Sequence, residues 1–150
     1  FTEEPPMLTQ WLMSPGDGGI TEAQKDDLPA EFPRVHPELD GNKHRYGYCL
    51  GTGSMVKPDF GRFIKYDFVK DSREVYELPA HEFGAEPVFI PATNATSEDE
   101  GYLISFVYDQ STNGSSVQIL NAQQITEGPI AKVMLPQRVP YGFHGSWVPA

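Results

Sequence analysis

Short runs in which apolar and polar residues alternate recur along the chain, at 8–13, 44–50, 60–68, 73–78, 86–91, 102–108, 116–121, 130–135 and 143–148. A period of two sends successive side chains to opposite faces, so each run reads as a short β-strand. Gly-, Asn-, Asp- and Ser-rich segments lie between them: 14–19 (SPGDGG), 40–43 (DGNK), 51–54 (GTGS), 94–101 (NATSEDEG) and 111–116 (STNGSS). Such residues turn the chain, and Asn113-Gly114 carries the signal of a type I′ hairpin. Only 20–27 has a weak helical character; it lacks an apolar stripe, and Pro29 closes it. With no helix long enough for a crossover, the strands are expected to pair antiparallel, as a sandwich, a barrel or the blades of a propeller.

In GYLISFVYD, Leu103, Ser105, Val107 and Asp109 face one way and Tyr102, Ile104, Phe106 and Tyr108 the other. Both faces are mostly apolar, which predicts a strand covered on both sides by stacked sheets or blades. The run 60–68 (FGRFIKYDF) is more polar and reads as an outer strand. No tight internal repeat is visible, yet the strands suffice for about two four-stranded blades. A propeller needs at least four, so on that architecture the chain is expected to be part of something longer.

Composition narrows the functional classes. The 14 Gly and 14 Pro interrupt helices repeatedly, and a 12% aromatic share suits pleated, half-buried surfaces. A net charge of −10 from 11 Lys+Arg against 21 Asp+Glu argues against a general nucleic-acid grip, which needs clustered cations. The single cysteine, Cys49, rules out an internal disulfide; mid-strand, it reads as a buried, inert thiol. No apolar run approaches roughly 18 residues, and FTEEPPMLTQW lacks the basic and apolar regions of a secretion signal. The expectation is a cytoplasmic protein, free or peripheral to a membrane, although neither an apolar patch nor an amphipathic helix for membrane contact is evident. The chain opens on Phe1 rather than Met and is expected to lack its true start.

The chemistry-bearing residues are few. None of His36, His44, His81 and His144 stands at a spacing that makes a local metal box, and each taken alone reads as a surface or loop histidine. His144 differs in its surroundings, PYGFHGSWVP, where Gly142 and Gly145 flank it and Tyr141, Phe143 and Trp147 supply aromatic walls. The bland alternative is a Gly-rich turn packing its aromatics into a core. Among the acids, Glu98-Asp99-Glu100 lacks the alternating oxygens of a calcium loop and reads as a solvated turn. Glu31 (AEFPRV) and Glu86 (GAEPVFIP) adjoin strands expected to be buried, where a carboxylate is costly without a partner. The N–H of a metal-bound imidazole is one such partner, backbone amides another. Ser54, Ser105 and Ser146 lack a G-x-S-x-G context, and no helix follows GTGS to make a phosphate cradle. The sequons at Asn94 and Asn113 have no secretory context.

Four motifs in order, EFPRVHPELDGNKHRYGY (31–48), GAEPVFIP (84–91), SEDEGYLISFVYD (97–109) and VQILNAQQITEGPIAKVMLPQRVPYGFHGSWVP (117–149), resemble the C-terminal part of the carotenoid cleavage oxygenases. That family also holds the lignostilbene dioxygenases and the retinal pigment epithelium isomerase. The resemblance spans nearly the whole chain, from about Leu8 to Pro149. It implies an all-β fold: antiparallel blades of a seven-bladed β-propeller, about two of them present in residues 1–150, the upstream blades absent and the ring incomplete. It further implies a non-haem Fe(II) held by four histidines, three of which are bonded to glutamates. By position His144 resembles the last ligand and Glu86 and Glu31 two of the supporting acids, while Phe143 could line the substrate tunnel. His36, His44 and His81 match none of the other ligands, which lie upstream in the family. The implied reaction is O2-dependent cleavage of a conjugated C=C bond in a lipophilic carotenoid, apocarotenoid or stilbene-like substrate to carbonyl products. A non-catalytic propeller that keeps only the scaffold for binding is the alternative.

Overall fold

The chain is described by a computed structural model that covers residues 4–53 and 59–148; the first three residues, Pro149 and Ser54, with the end of the 51–54 turn, lie outside the described residues. β1 (Met7–Met13) and β2 (Ile20–Arg34) form a long hairpin, and β3 (Tyr46–Gly51), β4 (Arg62–Asp67) and β5 (Ser72–Glu77) continue from β2 as a meander. The second sheet holds β6 (Glu82–Gly84), β7 (Val88–Pro91), β8 (Gly101–Asp109), β9 (Gly114–Asn121) and β10 (Pro129–Met134), in the order β10-β9-β8-β6 with β7 also on β8. Every pairing is antiparallel. β6 pairs with the Val107–Asp109 end of β8 and β7 with its Gly101–Ile104 end, so the two are one edge strand interrupted at 85–87. Each sheet therefore contains a four-stranded antiparallel meander in chain order, as a propeller blade does, and the sheet edges are not closed on one another.

Several expectations change. The 20–27 segment is strand, not helix: without an apolar stripe a helix there would bury nothing, whereas pairing with β1 satisfies its backbone groups. Pro29 sits at the irregularity of that ladder, and its carbonyl accepts from Thr52 N at 3.0 Å. The 143–148 run forms no strand. The 60–68 run lies inside the sheet, with Phe63, Ile64, Lys65 and Tyr66 all buried, and the more exposed β5 takes the outer place. The β8–β9 hairpin exists, but Asp109 pairs with Gly114, so its loop is 110–113 rather than a two-residue type I′ turn. Asp109 Oδ1 accepts from both N and Oγ of Ser111, and Asn113 takes a left-handed φ of 51° to re-enter the ladder. β1–β2 also brings Met13 opposite Ile20, and with Trp11 and Leu12 they make an exposed apolar tip that linear spacing hides.

The sheets meet face to face. Tyr48 and Leu50 of β3, Phe63 of β4, Phe89 of β7, Leu103 and Val107 of β8 and Leu120 of β9 form one buried cluster, closed by Leu78 and Ile125. Approach is close: a Cβ on Gly84 would lie 2.9 Å from Phe63 Cε1 and 3.1 Å from Leu50 Cδ1. The opposite face of the first sheet buries Ala30, Cys49, Ile64 and Tyr66. Burial pushes the Cys49 thiol up to about 12, so it is protonated and inert at neutral pH. Only one face of β8 is covered, since Tyr102 and Phe106 are 41% and 47% exposed.

A buried ion pair crosses the same interface. Lys65 Nζ donates to Asp99 Oδ2 at 2.7 Å, with side chains 4% and 11% exposed, and lies over the Tyr46 ring at 4.6 Å. Glu98 accepts from the backbone N–H groups of Arg45 and Tyr46, and Glu100 from Thr96. The acidic run is thus not a solvated turn; two of its acids fasten the 94–100 loop to the first sheet. Burial raises the Asp99 carboxyl, but the hydrogen bond and charge of Lys65, helped by Gln123 and Ser97, outweigh it and leave the group below its ordinary value. A depressed carboxyl stabilises the fold fully above the unfolded value near 4, and that contribution fades as pH falls through the folded value. Lys65→Met, which strands Asp99, is expected to cost about 3–5 kcal/mol in urea unfolding at pH 7. The cost should shrink as the titration is carried to acid pH.

Candidate metal centre

The interruption between β6 and β7 is what aims Glu86. Pro87 has no N–H for the ladder, while Ala85 keeps contact with β8 by donating to Phe106 O and accepting from Ser105 Oγ. Glu86 leaves the ladder and buries its carboxylate, 3% exposed, beneath the 143–147 segment. His144 Nδ1 lies 3.1 Å from Glu86 Oε1, and Gly145 N donates to Glu86 Oε2 at 2.7 Å. A carboxylate only accepts, so this bond places a proton on Nδ1, and in the neutral ring the lone pair is then on Nε2. The imidazole itself is 72% exposed. An oriented neutral imidazole with a bare Nε2 is the donor that a first-row metal takes.

β2 contributes from the other sheet. Glu31 pairs with Leu50 and Arg34 with Tyr48, so three steps on β2 oppose two on β3. That β-bulge puts Glu31 and Arg34 on the face shared by Tyr48 and Leu50, toward the second sheet. Within it Phe32 adopts φ 55°, a left-handed conformation that a bulky residue holds only under local constraint. Its ring stands edge-on to His144 at 5.5 Å and to Phe143 at 6.4 Å. Arg34 Nε lies 3.4 Å from Glu86 Oε1, and Arg34 Nη2 donates to Gly145 O.

Glu86 and His144 are thus brought into contact, and Phe143, 78% exposed, joins them through Phe32. Among the described residues Glu31 receives no side-chain hydrogen bond. The remaining histidines are occupied elsewhere: His36 Nδ1 accepts from Glu38 N, His44 Nδ1 lies 3.1 Å from Asn42 O, and His81 Nε2 lies 3.8 Å from Asp109 Oδ1. No group of three His, Cys, Asp or Glu among the described residues could hold a metal ion. The donors fit one ligand and its support, not a whole centre. Spacing did not reveal Arg34 or Phe32; the available signal was a shared Ala-Glu pair, Ala30-Glu31 near the end of β2 and Ala85-Glu86 between β6 and β7.

The sequence model of the retinal pigment epithelial membrane protein family matches residues 1–149. The chain belongs to this family. Among its members, a carotenoid cleavage oxygenase of Mycobacterium tuberculosis is 34% identical over 149 residues, covering 96% of this chain and 29% of that protein. The carotenoid 9,10(9',10')-cleavage dioxygenase 1 of pea (Pisum sativum) is 38% identical over 144 residues, covering 85% and 26%. Cobalt-substituted Synechocystis ACO superposes with a TM-score of 0.91 at 29% identity, over 98% of this chain and 31% of that one. The chain therefore spans under a third of the length of these relatives, and its two sheets share the fold of their β-propellers.

Glu86→Ala would leave the Gly145 N–H without its acceptor and Arg34 without its ion-pair partner while touching no strand pairing. Hydrogen exchange at Gly145 is expected to quicken by about tenfold or more, with β3, β4 and β8 amides unchanged.

Proposed function

We propose that residues 1–150 are the C-terminal part, about two blades, of a β-propeller dioxygenase that uses non-haem Fe(II) and O2 to cleave a conjugated C=C bond of a lipophilic substrate into carbonyl products. The names of the relatives favour carotenoids and apocarotenoids as the substrate class, and a stilbene offers the same conjugated alkene. One observation carries the reading: His144 is held through Nδ1 by the buried Glu86, with Nε2 left bare at 72% side-chain exposure. A propeller that only bound ligands would need neither the orienting carboxylate nor the interrupted strand that places it. The uncovered apolar face of β8, with Tyr102 and Phe106, suits a neighbouring blade and agrees with relatives about three times as long.

In this reading His144 supplies one of four imidazole ligands through Nε2, and Glu86 fixes its ring and tautomer. Glu31 serves another histidine outside this chain. When bound, the iron supplies the activation of O2 beside the alkene. Neutral imidazoles would leave the metal's charge uncancelled, and carboxylates behind the rings would offset it without occupying a coordination position. Phe143 and Phe32 present apolar surface next to His144, which suits a polyene and excludes water. The protein's share of the chemistry is orientation and dryness.

In the full-length protein, His144→Ala should abolish both iron retention and cleavage of an apocarotenoid, followed by loss of polyene absorbance. Glu86→Gln should weaken iron binding or rate by roughly 10–100-fold. The 150-residue chain alone should hold no stoichiometric iron by metal analysis, because one imidazole is not a site. Tight iron binding by the His144→Ala variant would remove the basis for the reading.

A further inference from the structure

We propose that Arg34 is a positioning residue for His144, acting through Glu86; this rests on the reading of His144 as a metal ligand. Three contacts close a ring: Gly145 N donates to Glu86 Oε2, Arg34 Nε lies 3.4 Å from Glu86 Oε1, and Arg34 Nη2 donates to Gly145 O. The residue next to the ligand is thereby held at both its N–H and its C=O. One end of this clamp is on β2 and the other at the β6–β7 interruption, so it also fixes the distance between the two sheets where the imidazole stands.

Two physical consequences follow. Glu86 is buried, and among the described residues Arg34 is the Lys or Arg that meets it. Without that guanidinium the carboxylate would be a buried charge balanced only by dipoles, a costly state that displaces the group or draws in water. Arg34 also shares Oε1, the oxygen facing His144 Nδ1, and so moderates how strongly Glu86 polarises the ring. The fork geometry matters as much as the charge, because carboxylate and carbonyl are contacted by different nitrogens of one plane. Lysine would keep the charge and reach one acceptor.

The bulge in β2 serves this geometry. If the three steps from Glu31 to Arg34 were regular strand with no bulge, these two would lie on opposite faces, and Arg34 would point away from Glu86. The left-handed Phe32 is the local cost of that reversal.

The test compares full-length wild type with Arg34→Gln, Arg34→Lys, Glu86→Gln, the Arg34→Gln/Glu86→Gln double variant and His144→Ala. Iron affinity is read by competition with a chelator, the urea midpoint reports global stability, and nitrogen-15 NMR of the metal-free protein reports the His144 Nδ1–H. Arg34→Gln is expected to weaken iron affinity by about tenfold or more and to shift the Nδ1–H resonance, with a fall in the urea midpoint that the Arg34→Gln/Glu86→Gln variant, which removes the stranded charge, recovers in part. Arg34→Lys should weaken it less, and the double variant should be no worse than Glu86→Gln, as for residues acting through one group. Wild-type iron affinity and an unshifted resonance in Arg34→Gln, alongside iron loss in His144→Ala, would overturn the role of Arg34. If Arg34→Gln does not fold, the same outcome in Arg34→Lys overturns it. Iron retained by His144→Ala would instead overturn the ligand reading itself.

Discussion

Glu86 is a carboxylate sealed between two β-sheets, and a charge in that position persists only if donors surround it. It accepts from the Nδ1–H of His144 and the amide of Gly145, and the guanidinium of Arg34 balances its charge. Among the described residues the 143–147 segment joins no strand ladder, and this polar cluster holds His144 and Gly145 against the sheets. The irregularities around it follow from the same need. β6 and β7 break so that Glu86 can leave the ladder, and β2 bulges so that Arg34 can reach it. A fully regular pair of sheets would have better backbone pairing and no oriented imidazole.

The cluster can hold its geometry only because the sheets beneath it are fixed by other means. Apolar burial at about 25 cal/mol per Å2 supplies most of the attraction between them, through Phe63, Leu50, Leu103 and Leu120. That force is not directional. The Lys65–Asp99 pair and the Glu98 contacts to the Arg45 and Tyr46 amides are directional, and they fasten the 94–100 loop against the first sheet. A buried ion pair adds little net stability over an apolar pair of equal size. What it does here is penalise every other register, because a shifted sheet would strand both charges.

Alternation and turn chemistry made most strands legible, because a strand with one buried face must repeat every two residues. Where burial does not follow that period, the legibility ends. β2 has no alternation to read, since part of it is exposed and part is distorted by the bulge, and its strand character comes from its neighbours. β4 looked like an outer strand because Lys65 is charged; its partner Asp99 is 34 residues away. The acidic run at 98–100 looked solvated for the same reason. The 143–148 run alternates yet has no strand to pair with, and its place is set by Glu86 and Arg34.

The chain's own sequence determined an antiparallel all-β fold, an inert Cys49 and the family, and its motifs drew attention to His144, Glu86 and Glu31. These depend on local period, composition and motif order, which one strand of text contains. Tertiary structure alone decided that Glu86 meets His144 across 58 residues, that Arg34 completes the clamp across 111 residues to Gly145, and that Phe32 turns its ring to the imidazole. Hydrogen bonds act over about 3 Å of space whatever the distance along the chain. Which donors reach a buried carboxylate is settled only when the sheets have packed.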